Sequence, residues 1–281
     1  MTASTLPSEV PSELSSEVGS GDLFPAQITV REESTALLDA VVDVVEERLK
    51  QRLSETAPKP LGLATGRTME PLYAALVARL KGWPVAALEH LRVHWCSFNL
   101  DEYVGLGAED PRSFSAYMAQ HLGDPLQLSP QQLHLPVGEA ADPQQQACRY
   151  AAELQSFGGV GLQLLGLGSN GHVGFNEPPC GVDAACRVVP LSQATRQQNA
   201  NAFGGDPSLV PSQAITLGLR EILAADEIHL IVTGSAKADI LKALLESPCT
   251  DQLPASWLRN HRQVSLWADQ AAAPIGVPPV V

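Results

Sequence analysis

The sequence lacks several features that define large classes of protein. No stretch approaches the roughly 18 uninterrupted apolar residues of a membrane span, and the N-terminus lacks the basic and then apolar order of a secretion signal. The five cysteines are odd in number and scattered, without the C-x-x-C spacing of a zinc or redox site. We therefore expect a cytoplasmic protein that keeps its thiols reduced.

Basic residues are also scarce. The chain has 18 lysines and arginines against 31 aspartates and glutamates, so its formal net charge is −13. Such a charge repels nucleic-acid backbones and anionic lipid surfaces at long range, and we expect neither nucleic acid nor membrane as a partner. An anionic small-molecule substrate would need a locally basic pocket.

The composition indicates one globular domain with an acidic tail. Hydrophobic residues make up 44% of the 281 positions, which is enough to bury a sizeable core. Residues 1–23 are rich in Ser, Pro and Glu and hold few apolar groups, so we expect a disordered tail. Because no internal repeat or mid-chain linker follows, we predict a single domain over 24–281, ending in a proline-bearing extended tail.

The hydrophobic pattern alternates between strand-like and helix-like segments. Residues 34–52 place Leu37, Val41, Val45 and Leu49 on one face of a helix. Alternation of strands with helices favours a mostly parallel sheet covered by helices on both faces. Strands are predicted at 24–30, 60–65, 91–100, 160–167, 187–191, 214–217, 227–232 and 263–267, and further helices at 70–80, 143–157, 218–225 and 236–245.

Four polar, glycine-bearing stretches each follow a predicted strand. They are TGRT (65–68), NLDEY (99–103), GSNGH (168–172) and TGSAK (233–237). In open parallel sheets, ligands bind in the crevice beyond the carboxyl ends of the strands. We therefore expect one site that contains Thr65, Asp101, His172 and Lys237.

Two of these stretches have the character of anion-binding loops. In TGRT, Gly66 lets the backbone approach a ligand, Thr65 and Thr68 supply hydroxyls, and a helix start follows. The same pattern is also a common helix-capping turn, and alone it does not decide between the two. Lys237 lies in the first turn of a predicted helix, where a cation opposes the helix dipole, and a bound anion explains it better.

The other two stretches carry groups that can move protons. If the chain is extended at NLDEY, Asp101 and Glu102 point to opposite faces, so one can act as a base and the other as support; a solvated acidic turn is the alternative. The stretch GSNGHVGFNEP combines His172 with Glu177. No H-E-x-x-H pattern accompanies this histidine, so we expect no metal.

In combination these stretches resemble the glucosamine-6-phosphate deaminase (isomerase) family, within the wider group that includes 6-phosphogluconolactonases. The resemblance rests on LGLATGRT (61–68), FNLDEYVGL (98–106), GLGSNGHVGFNEP (166–178), ATR (194–196) and TGSAK (233–237), which occur in this order. It implies a Rossmann-like α/β fold and conversion of glucosamine 6-phosphate to fructose 6-phosphate and ammonia, without cofactor or metal.

The resemblance also implies a role for individual residues. Asp101 matches the base that moves a proton between C2 and C1, and His172 matches the residue that assists opening of the pyranose ring. Glu177 matches the carboxylate that supports this histidine. The loop Thr65–Thr68, with Gly66 and Arg67, matches the phosphate-binding positions, as do Arg196 and Lys237.

Three positions depart from the family pattern. Asn170 stands where many members have Asp, so a charge relay is weaker, although the amide can still orient the ring of the histidine. Arg67 replaces a small residue, and it either adds a phosphate contact or crowds the loop. Val189 stands where allosterically regulated members carry a second basic residue, so we expect no such activation and a monomer or small homo-oligomer.

The sequence is also compatible with other activities. A 6-phosphogluconolactonase shares the architecture, but these proteins usually have Arg at the position of Tyr103. A galactosamine-6-phosphate deaminase would show nearly the same motifs. A non-catalytic sugar-phosphate sensor is disfavoured, because the sequence carries no basic helix-turn-helix extension and its N-terminal stretch is acidic.

Overall fold

The strands of the protein are short, and most belong to one sheet. The computed structural model describes residues 24–25 and 27–273; the predicted tail at 1–23, and residues 274–281 of the tail predicted at 271–281, lie outside these residues. The strands are β1 (Gln27–Arg31), β2 (Leu61–Leu63), β3 (Ser97–Asn99), β4 (Asp101–Tyr103), β5 (Leu133–His134), β6 (Leu162–Gly166), β7 (Arg187–Pro190), β8 (Gln213–Thr216), β9 (Glu227–Val232) and β10 (Val264–Asp269).

The main sheet is parallel throughout the described residues. Its seven strands have the order β1-β10-β9-β6-β2-β3-β5, and each neighbouring pair runs in the same direction. The central strands are mostly apolar: in β9, the run IHLIV is buried throughout and holds a single polar residue, His229, as expected for strands buried on both faces. The prediction of a mostly parallel sheet in an α/β domain is confirmed.

Helices pack against this sheet. They are α1 (Ser34–Arg52), α2 (Met69–Lys81), α3 (Val85–His94), α4 (Phe114–Met118), α5 (Asp124–Leu126), α6 (Pro143–Ser156), α7 (Gln193–Asn199), α8 (Leu219–Leu223) and α9 (Ala238–Glu246). In α1, the predicted stripe Leu37, Val41, Val45 and Leu49 is at most 1% exposed. Each such side chain contributes about 1.5–3 kcal/mol when fully buried. No helix among residues 24–25 and 27–273 is long and apolar enough to cross a membrane.

The segment 91–100 corrects a sequence prediction. We expected one strand with Val93, Trp95 and Ser97 on a common face. Instead, α3 extends to His94, so that Val93 is 73% exposed while Trp95 is 3% exposed. Six of the ten residues of VAALEHLRVH are good helix formers (Ala, Leu, Glu or Arg), and Leu88 and Leu91 are its buried positions. The strand β3 therefore covers only Ser97–Asn99.

A second, antiparallel sheet was not predicted. In the described chain it has the order β4-β8-β7, and Asp101 pairs with Thr216. A short apolar run does not reveal the direction in which its strand pairs, so the sequence pattern did not separate β7 and β8 from the parallel strands. The chain between them, residues 191–212, contains α7 and packs with Tyr103 and Phe175 in a separate hydrophobic cluster.

Candidate active site

A cavity of about 350 Å³ lies at the carboxyl ends of the parallel strands. Its lining includes the predicted residues Thr65, Gly66, Arg67, Thr68, Asp101, His172 and Lys237. They follow β2, β3, β6 and β9, the strands after which the four polar loops were expected. The parallel topology brings these loops together because all carboxyl ends meet at one edge of the sheet.

Glycines give the histidine loop its shape. A Cβ on Gly168 would collide with the His172 imidazole, so this position must be glycine for the ring to lie where it does. Gly171 has φ of +80°, in the left-handed region, and a Cβ there would meet the side chain of Leu253. The glycine-rich turn is therefore the element that presents His172 to the cavity.

The His172 ring is oriented by Asn170. The ring Nδ1 lies 2.6 Å from Asn170 Oδ1, and the backbone N–H of His172 donates to the same oxygen at 3.3 Å. Because a backbone N–H can only donate, the oxygen of the amide must face it. Nδ1 is then the ring nitrogen that carries the proton, and Nε2 has a free lone pair.

Burial keeps this imidazole neutral. It lowers the pKa of His172 to about 4, and Lys237 acts in the same direction, whereas Glu177 opposes the shift. A neutral ring with an unprotonated Nε2 can accept a proton from a ligand at neutral pH. His172 therefore lines the cavity with a neutral ring.

Glu177 does not take the position that the resemblance implied. Its carboxylate accepts hydrogen bonds from the Ser192 backbone N–H at 3.0 Å, the Ser192 hydroxyl at 2.8 Å and the Thr195 hydroxyl. These contacts hold the start of α7 rather than the imidazole, and Glu177 is not among the residues that line the cavity. Its effect on His172 is a longer-range electrostatic one that raises the pKa.

Asp101 is the acid that faces the cavity. Its side chain is 5% exposed, and burial, followed by the negative charge of Glu102, raises its pKa to about 8. The histidine loop reaches it at Gly174, where a Cβ would lie 3.4 Å from Asp101 Oδ2. A buried carboxyl with a raised pKa and a neutral imidazole thus line the same cavity.

Two cations lie near each other on the phosphate-loop side of the cavity. Burial lowers the pKa of Lys237, and the positive charge of Arg67 lowers it further. The two loops touch where the hydroxyls of Thr68 and Thr233 lie 3.4 Å apart. This lining is locally basic although the chain carries a net charge of −13, which suits an anionic ligand.

Arg196 corrects another sequence prediction. Its guanidinium donates to the carbonyls of Val210 at 3.1 Å and Ser208 at 3.0 Å, and it does not line this cavity. The helix face that does so carries Thr195, Gln198 and Asn199. These positions follow the i, i+3, i+4 spacing, so the next residue after Thr195 points elsewhere.

Other lining residues were missed by sequence reasoning. They are contributed by α4 and the turn before it and by the segment after α7: Pro111, Arg112, Ser113, Phe114, Tyr117, Asn201 and Ala202. The helical spacing of 195, 198, 199 and 202 was a usable signal for α7. No motif within residues 111–117 indicated that this segment lies against the cavity.

Comparison with known proteins identifies the family of this chain. A family model described as glucosamine-6-phosphate isomerases/6-phosphogluconolactonase matches residues 32–267. The chain belongs to this family. Within the family, it is 41% identical over 229 residues to a glucosamine-6-phosphate deaminase of Shouchella clausii (strain KSM-K16), covering 81% of this chain and 90% of the relative. A glucosamine-6-phosphate deaminase of Shewanella loihica (strain ATCC BAA-1088 / PV-4) is 38% identical, with 88% of each chain covered.

Solved structures place the chain in the same family. A monomeric glucosamine-6-phosphate deaminase has a TM-score of 0.80 and 32% identity, over 88% of this chain and 98% of that one. The 6-phosphogluconolactonase of Leishmania guyanensis has a TM-score of 0.67 and 21% identity, over 90% and 98%. The second likeness shows a shared fold alone, whereas the deaminases are similar in sequence as well.

Proposed function

We propose that this chain converts glucosamine 6-phosphate to fructose 6-phosphate and ammonia, consuming one water. The observation that supports this most directly is the placement of buried Asp101 and neutral His172 in one cavity with Arg67 and Lys237. An aldose–ketose conversion needs two proton transfers at carbon and oxygen, and a sugar phosphate needs a basic site. The deaminases of Shouchella clausii and Shewanella loihica support the choice of substrate.

Ring opening is the step assigned to His172. Its Nε2 takes the proton of the anomeric hydroxyl while the bond between C1 and the ring oxygen breaks, and the imidazolium returns that proton to the ring oxygen. Asn170 is a positioning residue in this step, because its amide oxygen keeps the proton on Nδ1.

Isomerisation is the step assigned to Asp101. The ionised carboxylate removes the proton from C2 of the open aldehyde to give the enolate form of the enolamine, with its negative charge on O1, and the carboxylic acid returns this proton to C1. A proton then passes from the resulting C2 iminium to O1. A C2 imine results, to which water adds with loss of ammonia. A carboxyl with its pKa near 8 is a stronger base than an ordinary aspartate and is suited to a proton on carbon.

The phosphate group is assigned to the basic side of the cavity. We propose that the loop Thr65–Thr68, including Gly66, and the side chains of Arg67 and Lys237 bind it. This assignment makes Arg67 a phosphate contact rather than an obstruction, since its charge lies near that of Lys237 and needs a counter-ion. Binding energy gained here orients the reacting carbons.

Release of ammonia from glucosamine 6-phosphate tests the proposal. Wild-type protein should release ammonia and fructose 6-phosphate in equal amounts, and Asp101→Asn and His172→Gln should each lose about 10²–10⁴ in rate. Parallel assays with galactosamine 6-phosphate and 6-phosphogluconolactone decide between substrates. Faster turnover of either compound, or variants as active as wild type, would refute the assignment.

We also propose that the protein works in the cytoplasm as a monomer or small homo-oligomer. The five cysteines are free, which fits a reducing compartment, and the similar solved deaminase is monomeric. Light scattering coupled to gel filtration measures the mass directly. A mass of a hexamer or larger would contradict this proposal.

A further inference from the structure

Glu102 is buried beside Asp101 but points away from the cavity. It is 1% exposed. One carboxylate oxygen accepts the backbone N–H groups of Tyr103 at 2.8 Å and Phe114 at 3.0 Å. The other accepts the backbone N–H of Ser115 at 2.8 Å and its hydroxyl at 3.0 Å. Burial raises the pKa of Glu102, and these four donors, which are all neutral groups of the chain, oppose that shift.

The segment that Glu102 holds forms one wall of the cavity. Phe114 and Ser115 are the first two residues of α4, whose backbone N–H groups have no partner within the helix. From this segment, Ser113, Phe114 and Tyr117 line the cavity. Through its hydrogen bonds, Glu102 therefore connects this wall, residues Ser113–Tyr117, to the strand that carries Asp101.

The wall in turn contacts the phosphate-binding loop. The hydroxyl of Tyr117 donates to the carbonyl of Gly66 at 3.0 Å. Gly66 has φ of +109°, and its carbonyl also accepts the first backbone N–H groups of α2, from Met69 at 2.9 Å and Glu70 at 3.3 Å. A continuous path of contacts thus runs from Glu102 through α4 and Tyr117 to the loop Thr65–Thr68.

We propose that Glu102 is a positioning residue for substrate binding, which holds the Ser113–Tyr117 wall, and through Tyr117 the phosphate loop, in register with the strand of Asp101. The proposal rests on the proposed function for its substrate. A carboxylate is costly to bury, and Ser113 already caps this helix through its hydroxyl, which accepts the Ala116 N–H at 3.0 Å. Stability of α4 alone therefore does not require Glu102.

Glu102 also acts on Asp101 through its charge. The two carboxyls are adjacent, and the Glu102 charge contributes, after burial, to the raised pKa of Asp101. The other groups near Asp101 are the hydroxyls of Tyr103 on its own strand and Tyr150 on α6, and the histidine loop at Gly174. Removing the Glu102 charge should lower the pKa of Asp101.

Three variants separate these effects. Glu102→Gln removes the charge and turns an N–H group toward backbone donors. Glu102→Asp keeps the charge but shortens the side chain. Tyr117→Phe removes only the contact with Gly66. The matched control is Glu221→Gln, since Glu221 accepts the Gly218 N–H at 2.9 Å at the start of α8 and does not line the cavity.

We expect the two Glu102 variants to raise KM for glucosamine 6-phosphate about tenfold, with a smaller loss in kcat, because loss of one hydrogen bond to a charged group corresponds to a factor of this order. Tyr117→Phe loses a hydrogen bond between neutral groups and should raise KM only about fivefold. Glu102→Gln should also move the acid limb of the pH profile of kcat/KM to lower pH, whereas Glu102→Asp and Tyr117→Phe should not. Glu221→Gln should change Tm alone.

Hydrogen exchange supplies a measurement that is independent of turnover. In Glu102→Gln and Glu102→Asp, amide exchange should increase at 113–118 and also at 65–68. If exchange increases at both segments but the wild type releases no ammonia, the proposed function fails and the positioning role stands. If amide exchange at 65–68 and KM are both unchanged in Glu102→Gln, the positioning role is refuted. If Glu102→Gln does not fold, the same two measurements on Tyr117→Phe decide in its place.

Discussion

Replacing Asp101 with asparagine should make the protein more stable as well as inactive. The carboxyl has an ordinary pKa of 3.8 and a pKa of about 8 in the folded protein, chiefly because of burial. Between these two values the unfolded chain releases the proton and the folded chain retains it. The contribution of Asp101 to the free energy of unfolding of the wild type therefore falls as pH rises from about 4 to 8, whereas the side-chain amide of the Asp101→Asn variant does not titrate.

The size of the effect follows from the pKa. Each pKa unit corresponds to about 1.4 kcal/mol, so the stability gained by Asp101→Asn is at most about 2 kcal/mol at pH 5 and about 6 kcal/mol above pH 8. Thermal unfolding of a domain of this size shifts by about 2–4 °C for each kcal/mol. We expect the variant to exceed the wild type in Tm by several degrees at pH 8.5 and by much less at pH 5.

Calorimetric melting of both proteins at pH 5, 7 and 8.5 is the assay. The control is Asp110→Asn, because hydrogen bonds from Arg112 lower the pKa of Asp110 to about 2. This carboxylate is essentially ionised in both the folded and the unfolded chain at all three pH values, so the variant should be less stable than the wild type by the same amount at pH 5, 7 and 8.5. A difference in Tm between Asp101→Asn and wild type that is the same at pH 5 and 8.5 would show that Asp101 does not titrate in this range, and the argument for its strength as a base would fail.

Three further predictions concern other residues of the site. In the wild type, His172 Nδ1 lies 2.6 Å from the amide oxygen of Asn170, and Asn170→Asp replaces this amide with a carboxylate. The substitution should raise the pKa of His172, as measured by NMR titration of the ring. An unchanged titration would contradict the assigned contact. Gly168→Ala should displace the imidazole, because a Cβ collides with it; kcat should fall at least tenfold with little change in KM, and wild-type activity would refute the ring position. Lys237→Ala should raise KM about 10–100-fold, because it removes the proposed charged contact with the phosphate. Arg196 lies outside the cavity, so Arg196→Ala should leave KM within about twofold. Equal effects of the two substitutions would indicate that Arg196 also binds the phosphate.

The loops that line the cavity could be predicted from the sequence because each follows a buried strand directly. Thr65–Thr68, Asp101, His172 and Lys237 all line the cavity. For such residues the position along the chain is enough, since a parallel sheet brings the carboxyl ends of its strands to one edge.

Residues on helices and distant turns could not be placed in this way. Arg196 faces away from the cavity because the direction of a helical side chain depends on the rotation of the whole helix. For α7 that rotation follows from the capping hydroxyl of Ser192, which accepts the Thr195 N–H at 3.1 Å, and from the hold of Glu177 on Ser192. Neither contact is encoded in the spacing of residues 193–199.

The sequence by itself determined the α/β class, the parallel sheet and the loops that line the cavity, because these depend on short-range hydrophobic periodicity and on chain order. Only the tertiary structure decided the pKa values and the hydrogen-bond partners of the groups in these loops. The pKa of Asp101, the proton position on His172, and the tasks of Glu102 and Glu177 all depend on burial and on partners distant in the chain. Desolvation and hydrogen bonding act through space, and they exist only once the chain has folded.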